Sequence, residues 1–284
     1  MIRNILAPTD FSAPASEAIR YASALAARYG ASTHLLYASS SDPENLPDDL
    51  PPELAAAIRS GDRASVQAQL ATYYAESCAG LALQAHIAGG PAAGEILAMS
   101  EALRTDLIVI GYAGAGQADQ MGRVTQEVIA RAEAPVLVVP MPCRYQPIRH
   151  MIYATNFEHL DPDDSEQVLE MASLLDARLS CLHVESQALP WTGMQESLFE
   201  VVFEAAAGEQ AVQFYYTQSE DTQQGISDFV QAHAGDLLIM MRRRRPAEGL
   251  SPSLTRQMMR SAQIPLLILH EKRRGMWFPR PTDH

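Results

Sequence analysis

The segment Asp106-Leu-Ile-Val-Ile returns 130 positions later as Asp236-Leu-Leu-Ile-Met, and this return constrains the fold more than composition does. At the same spacing Thr125 overlies Thr255, and Pro135-Val-Leu-Val-Val overlies Pro265-Leu-Leu-Ile-Leu. Earlier in each half the offset is 146. Arg3-Asn-Ile-Leu-Ala-Pro-Thr-Asp-Phe11 overlies Arg149-His-Met-Ile-Tyr-Ala-Thr-Asn-Phe157, and Leu35-Leu-Tyr-Ala38 overlies Cys181-Leu-His-Val184. Matches in equivalent places at two fixed offsets mark a duplicated domain. The 16 residues between the offsets are lost from the middle of the second copy, where a long helical stretch shrinks to Gln195–Ala207. The 284 residues divide into domains 1–143 and 148–270 and a tail, 271–284. Each half, about 140 residues, is large enough to bury its own core.

Within the first copy, apolar β-branched runs alternate with stretches of helical spacing. Strands are expected at Arg3 to Pro8, Thr33–Tyr37, Leu83–Ile87, Leu107–Ile110 and Pro135–Pro140. The helices expected between them begin at Ser12, with Ser12 as N-cap and Gly30 closing the C-terminus, at Glu53 (about 25 residues, to Ser77), at Ala92 and at Arg123. Strict alternation of strand and helix implies an α/β domain with a parallel sheet wrapped on both faces by right-handed crossovers.

The stretch from Asp106 to Thr125 has the form of an anion site. A buried strand runs into Gly111, Gly114, Gly116 and Gly122, and the helix that follows offers unpaired N–H groups. The second copy lacks these glycines: Met241, Arg244 and Pro252 stand at the places of Gly111, Gly114 and Gly122, and Asn156 replaces Asp10. A net charge of -13 argues against broad nucleic-acid or anionic-membrane binding, which needs an excess of Lys and Arg. No apolar run approaches the roughly 18 residues of a membrane span, and Met1-Ile-Arg-Asn-Ile-Leu leads into a strand instead of a signal peptide, so a cytoplasmic location is expected. Cys78, Cys143 and Cys181 are too few and too scattered for a disulfide framework or a zinc site.

The order Ile5-Leu-Ala-Pro-Thr-Asp-Phe-Ser12, Asp106-Leu-Ile-Val-Ile-Gly-x-x-Gly114 and Pro135-Val-Leu-Val-Val-Pro140 resembles the tandem universal stress proteins. The resemblance implies two tandem repeats of a five-stranded parallel-sheet, adenine-nucleotide-hydrolase-like (Rossmann-like) sandwich with strand order 3-2-1-4-5. It also implies a nucleotide site, ATP or AMP with magnesium accompanying ATP, in the first domain only. Residue by residue, that site is Pro8, Thr9, Asp10, Ala38, Gly111, Gly114, Gly122, Arg123, Val124 and Thr125. Two departures bear on it. Gly122 follows Gly114 after seven residues where the family has nine, and Arg123 stands where a small hydroxyl is usual. An arginine pairs with phosphate as a charged fork but does not replace a hydroxyl close to the backbone. The family also implies that Pro135–Val139 and Pro265–Leu269 are dimerisation strands, giving an internal pseudo-dimer or a homodimer.

Simpler roles stand beside these. Asp10 serves equally as a ligand to adenine or ribose and as a helix cap. Arg123 either meets phosphate or lies along its helix, and Arg242–Arg245 reads as a solvated charge run. His34, His86, His183 and His233 lack metal-site spacing and read as packing or surface residues. Met276-Trp277-Phe278-Pro279 in the tail either docks onto the body or a partner protein, or frays. Three functions follow in order: a non-catalytic nucleotide-binding signalling module, an interaction protein with a degenerate site, and a slow ATPase. The last comes third because no base, nucleophile or metal constellation surrounds the loop.

Overall fold

The computed structural model describes residues 2–39, 46, 50–75, 78, 83–112, 119–155, 162–185, 193–208, 210–242 and 252–271. They form two compact units, one of residues 1–147 with 256–268 and the other of residues 148–255 with 269–284. The elements alternate as the sequence implies. In chain order the first copy holds β1 (Asn4–Thr9), α1 (Ala13–Tyr29), β2 (Ser32–Ser39), α2 (Pro52–Ser60), α3 (Arg63–Ala75), β3 (Leu83–Gly89), α4 (Ala92–Ala102), β4 (Leu107–Tyr112), α5 (Asp119–Arg131) and β5 (Val136–Pro140). The second copy holds β6 (His150–Ala154), α6 (Pro162–Leu175), β7 (Arg178–Glu185), α7 (Gly193–Ala207), β8 (Val212–Gln218), α8 (Thr222–Ala232), β9 (Leu237–Arg242), α9 (Pro252–Ser261) and β10 (Leu266–His270).

In the first unit the strand order is β3-β2-β1-β4-β5, all parallel, as the family resemblance implies. Residues Leu266–Ile268 of β10 belong to this unit and pair antiparallel with Val136–Val138 of β5. The second unit repeats the order as β9-β6-β7-β8, again parallel. Strands β4, β5 and β6 are buried at every position, which accounts for their unbroken apolar runs.

Two helix boundaries differ from expectation. The single helix expected from Glu53 to Ser77 is two helices, α2 and α3, broken where Gly61 turns left-handed (φ 70°). Asp62 then starts α3 by accepting from the Ala64 and Ser65 N–H groups. The helix expected from Arg123 begins at Asp119, so Gly122 and Arg123 lie inside α5. The start of α1 is as expected: Ser12 Oγ accepts from Ala15 N–H, and Gly30 closes the helix in the left-handed region.

Each unit clamps its first strand with one carboxylate. Asp106 Oδ2, just before β4, accepts from the Arg3 and Asn4 N–H groups at 2.7 and 2.9 Å. Asp236 Oδ2, just before β9, accepts from Arg149 and His150 at 2.9 Å each. A second equivalence is crossed. In the first unit Asn4 Oδ1 on β1 lies 3.4 Å from His34 Nε2 on β2. In the second unit the histidine sits on the first strand, and His150 Nε2 lies 2.8 Å from Ser180 Oγ on β7.

His34 also meets His86 on β3: Nδ1 and Nε2 are 3.0 Å apart and the rings stack with centroids 5.3 Å apart. Burial, and secondarily the His86 charge, lowers the pKa of His34, and burial lowers that of His86. Burial is also the largest cause at His150, lowering its pKa against the raising effect of its backbone hydrogen bond to His233. A folded pKa below the unfolded 6.5 means that these groups contribute stability present above pH 6.5 and lost as pH falls through the folded values. The unfolding midpoint is therefore expected to hold steady between about pH 7 and 8 and to fall below about pH 6.5, with His86→Gln removing part of the fall. Thermal scans across this range check it. A decline that begins only in the carboxylate range, near pH 4, would contradict it.

Candidate functional site

In the first unit β1 lies between β2 and β4, so the strand order reverses there and the carboxyl ends of β1 and β4 flank the switch point. Pro8, with no N–H to give a ladder, pairs with Leu36 near the end of β1. Thr9 ends the strand with its side chain buried. Its Oγ1 lies 2.6 Å from the Tyr74 hydroxyl on α3 and accepts from Phe11 N–H at 2.9 Å. Phe11 takes up this turn at φ 66°, a left-handed conformation that strains a bulky residue. Its ring packs on Tyr37 of β2 at 4.9 Å and on Tyr73 of α3 at 6.1 Å.

Asp10 is exposed, and its Oδ1 accepts from the N–H of the N-cap residue Ser12 at 3.0 Å. One carboxylate oxygen therefore holds the chain where it enters α1. Ala38, half-buried near the end of β2, pairs with Ala88 of β3.

Gly111 lies inside β4, opposite Val139 of β5. A Cβ there would overlap the Pro14 carbonyl and come within 2.9 Å of Ala15 N. The absent side chain is what lets the first turn of α1 rest on the strand. Gly122, in contrast, occupies the first turns of α5, and a Cβ there would meet Gln126 and Tyr112 at an ordinary 3.8 Å. Arg123 is exposed and Val124 half-buried. Thr125 is fully buried, and its Oγ1 has no hydrogen-bond partner among the described residues. Gly114 and Gly116 lie outside the described residues. The first turn of α5 supplies N–H groups with no partner inside the helix, the arrangement that receives an anion.

Tyr74, Tyr37, Phe11 and Tyr73 were not among the residues expected here. The spacing Val66, Leu70, Tyr74 marks a buried helix face, but nothing in it places the phenol against Thr9. Burial, opposed by hydrogen bonds to Thr9 and Ser16, pushes the Tyr74 pKa up to about 12. The group therefore remains a neutral phenol throughout the ordinary pH range. Among the described residues no three His, Cys, Asp or Glu side chains group as metal ligands.

The second unit is built differently at the same place. Met241, buried, stands where Gly111 stands, and half-buried Arg242 stands where Tyr112 stands. Helix α6 buries Asp164, Ser165 and Gln167 at the positions where α1 buries Ala18, Ile19 and Tyr21. Thr155, the counterpart of Thr9, is buried, and its carbonyl accepts from His183 Nδ1 at 3.1 Å. Asn156, Arg244 and Arg245 lie outside the described residues.

A family model described as the universal stress protein family matches residues 1–140. Among solved structures, a universal stress protein from Archaeoglobus fulgidus DSM 4304 superposes with a TM-score of 0.71 at 16% identity, covering 94% of this chain and 98% of its own. A candidate universal stress protein from Pseudomonas aeruginosa UCBPP-PA14 gives 0.60 at 16% identity, covering 95% and 93%. At that identity the likeness is one of fold. No curated protein matches the chain.

Proposed function

Since the universal stress protein family model matches residues 1–140, we propose that the chain is a stress-response module whose first domain binds an adenine nucleotide without turning it over efficiently. The observation that carries this reading is the switch point itself: β1 and β4 lie side by side, and the next described element after β4 is a helix whose first-turn N–H groups have no acceptor within the helix. In this reading Pro8, Thr9, Asp10 and Ala38 border the base and ribose, and Gly111, Gly114, Gly122, Arg123, Val124 and Thr125 border the phosphates. The ligand is ATP or AMP, with magnesium accompanying ATP. The second domain does not take a nucleotide in this manner, because Met241, Arg244 and Pro252 replace the glycines Gly111, Gly114 and Gly122 of the loop. The protein works in the cytoplasm, with 1–143 and 148–270 as its domains.

A second reading is favoured by the antiparallel pairing of β5 with β10. There the duplicated chain is an internal pseudo-dimer that acts through protein contacts, as a monomer or homodimer, with the crevice unused. Hydrolysis ranks below both, since Asp10 and Thr125 alone would have to supply the chemistry.

Calorimetric titration with ATP, ADP and AMP, with and without magnesium, separates these readings. Micromolar binding to the intact chain is expected. Thr125→Val should weaken it about tenfold while raising stability by about 1 kcal/mol, because it removes a buried hydroxyl that has no partner. No heat at millimolar nucleotide would leave the interaction reading standing, and magnesium-dependent turnover that follows the purified chain would restore the third.

A further inference from the structure

We propose that the C-terminal tail, residues 272–284, docks in cis on the outer corner of the second unit formed by α7 and the edge strand β8. Four large hydrophobic side chains are substantially exposed among the described residues, and three lie at this corner: Leu198 (52%), Val201 (62%) and Tyr216 (40%). Leu198 and Val201 are one turn apart on α7. Tyr216 of β8 joins them, its hydroxyl donating to Glu200 of α7 at 2.6 Å. Beneath the corner Phe199 and Phe203 pack edge-on against Phe214, fixing α7 on β8.

Strand β8 is the edge of its sheet, and Val212-Gln-Phe-Tyr-Tyr-Thr-Gln218 has no charge, proline or glycine to discourage pairing. On the matching corner of the first unit, the exposed residues of α3 are small or polar: Arg63, Ala64, Gln67, Ala68 and Thr72 among them.

Charge and reach select the occupant. Residues 179–241 carry nine Asp and Glu and no Lys or Arg, and Glu200, Glu204, Glu220 and Asp221 lie on or beside the corner. The tail reads Lys272-Arg-Arg-Gly-Met-Trp-Phe-Pro-Arg280, three cations followed by three large apolar residues and another cation. A second copy would instead set Glu200 and Glu204 against the same acids, in a chain of net charge -13.

The tail starts close by. Glu271 N–H donates to Arg242 O at 3.2 Å, so residue 272 leaves from the end of β9. Strands β9, β6, β7 and β8 are parallel, and their carboxyl ends share one edge. Three strand spacings, about 14 Å, separate β9 from β8. The six residues from Lys272 to Trp277 span about 20 Å when extended. Met276, Trp277 and Phe278 therefore reach Leu198, Val201 and Tyr216, and Pro279 ends any ladder made with β8.

Trp191 and Trp277 are the two tryptophans, so Trp191→Phe leaves Trp277 as the sole reporter in the full-length chain. Docking predicts a blue-shifted Trp277 emission and acrylamide quenching several-fold weaker than for a free peptide of residues 272–284. Leu198→Glu with Val201→Glu, both at exposed positions, should return quenching to the peptide value, as should Lys272, Arg273 and Arg274 replaced together by serine. Quenching equal to that of the free peptide in the unaltered chain would overturn the proposal. So would protection that the Leu198 and Val201 changes leave intact, which places the tail elsewhere, or protection lost on dilution, which places a second copy on the corner.

Discussion

Gly111→Val is expected to destabilise the first unit by about 3 kcal/mol or more, because the new side chain must displace the first turn of α1 from β4. For a unit of this size the melting temperature falls by roughly 6–12 °C. The contact at risk is backbone against backbone, Pro14 and Ala15 over the strand, so no rotamer change relieves it. Relaxation requires α1 to lift, and with it Ser12 and the turn held by Asp10. Nucleotide affinity should fall together with stability. Gly122→Ala is the control. Its Cβ would sit 3.8 Å from its neighbours in a helix, where alanine is favoured over glycine by about 0.5–1 kcal/mol. That variant should be as stable as the parent or more so, and any loss of nucleotide affinity it shows then reports close approach of a ligand to α5. Urea unfolding of both variants is the measurement. A Gly111→Val chain with parental stability would show that α1 and β4 are not locked as described.

The second large effect belongs to the carboxylate clamps. Asp106→Ala leaves the Arg3 and Asn4 N–H groups without their acceptor and should cost about 1.5–3 kcal/mol, the range for hydrogen bonds to a charged group. Asp236→Ala should do the same to Arg149 and His150. The clamps are far apart in the chain and share no partner, so the double variant should lose about the sum of the two. Hydrogen exchange read by mass spectrometry locates each loss. Asp106→Ala is expected to speed exchange across β1 and leave β6 unchanged, and Asp236→Ala to do the reverse. Equal acceleration of both strands in either single variant would mean that the clamps do not act locally.

Much of this architecture was legible because burial on both faces writes strands as apolar runs, and duplication writes every feature twice. Asp106 and Asp236 stood out as a repeated residue, but their purpose depends on β1 lying beside β4, a relation of register and not of spacing. The break between α2 and α3 was hidden by periodicity. Ile58 and Val66 are eight residues apart, two helical steps, so the apolar face runs on across Gly61 and Asp62. Gly111 and Gly122 looked alike in sequence. One carries a packed helix on its bare backbone, and the other is a helical residue with ordinary clearance. Thr9 ends β1, whereas its bond to Tyr74 joins residues 65 apart and left no local trace. The His34 and His86 pair was hidden in the same way, being made by two neighbouring strands.

The crossed pairs on the first strands bear on how a duplicated chain sorts itself during synthesis. While the second copy is emerging, a first strand of the same apolar pattern is already present, and pairing with the wrong neighbour is a characteristic failure of repeat proteins. If β6 captured β2, His150 would be set against His34, whose ring already rests on His86, and three imidazoles would crowd a place built to keep them uncharged. With its own neighbour β7, the same histidine finds the Ser180 hydroxyl and the Arg178 guanidinium. The crossed pairs thus favour β7 over β2 as the neighbour of β6.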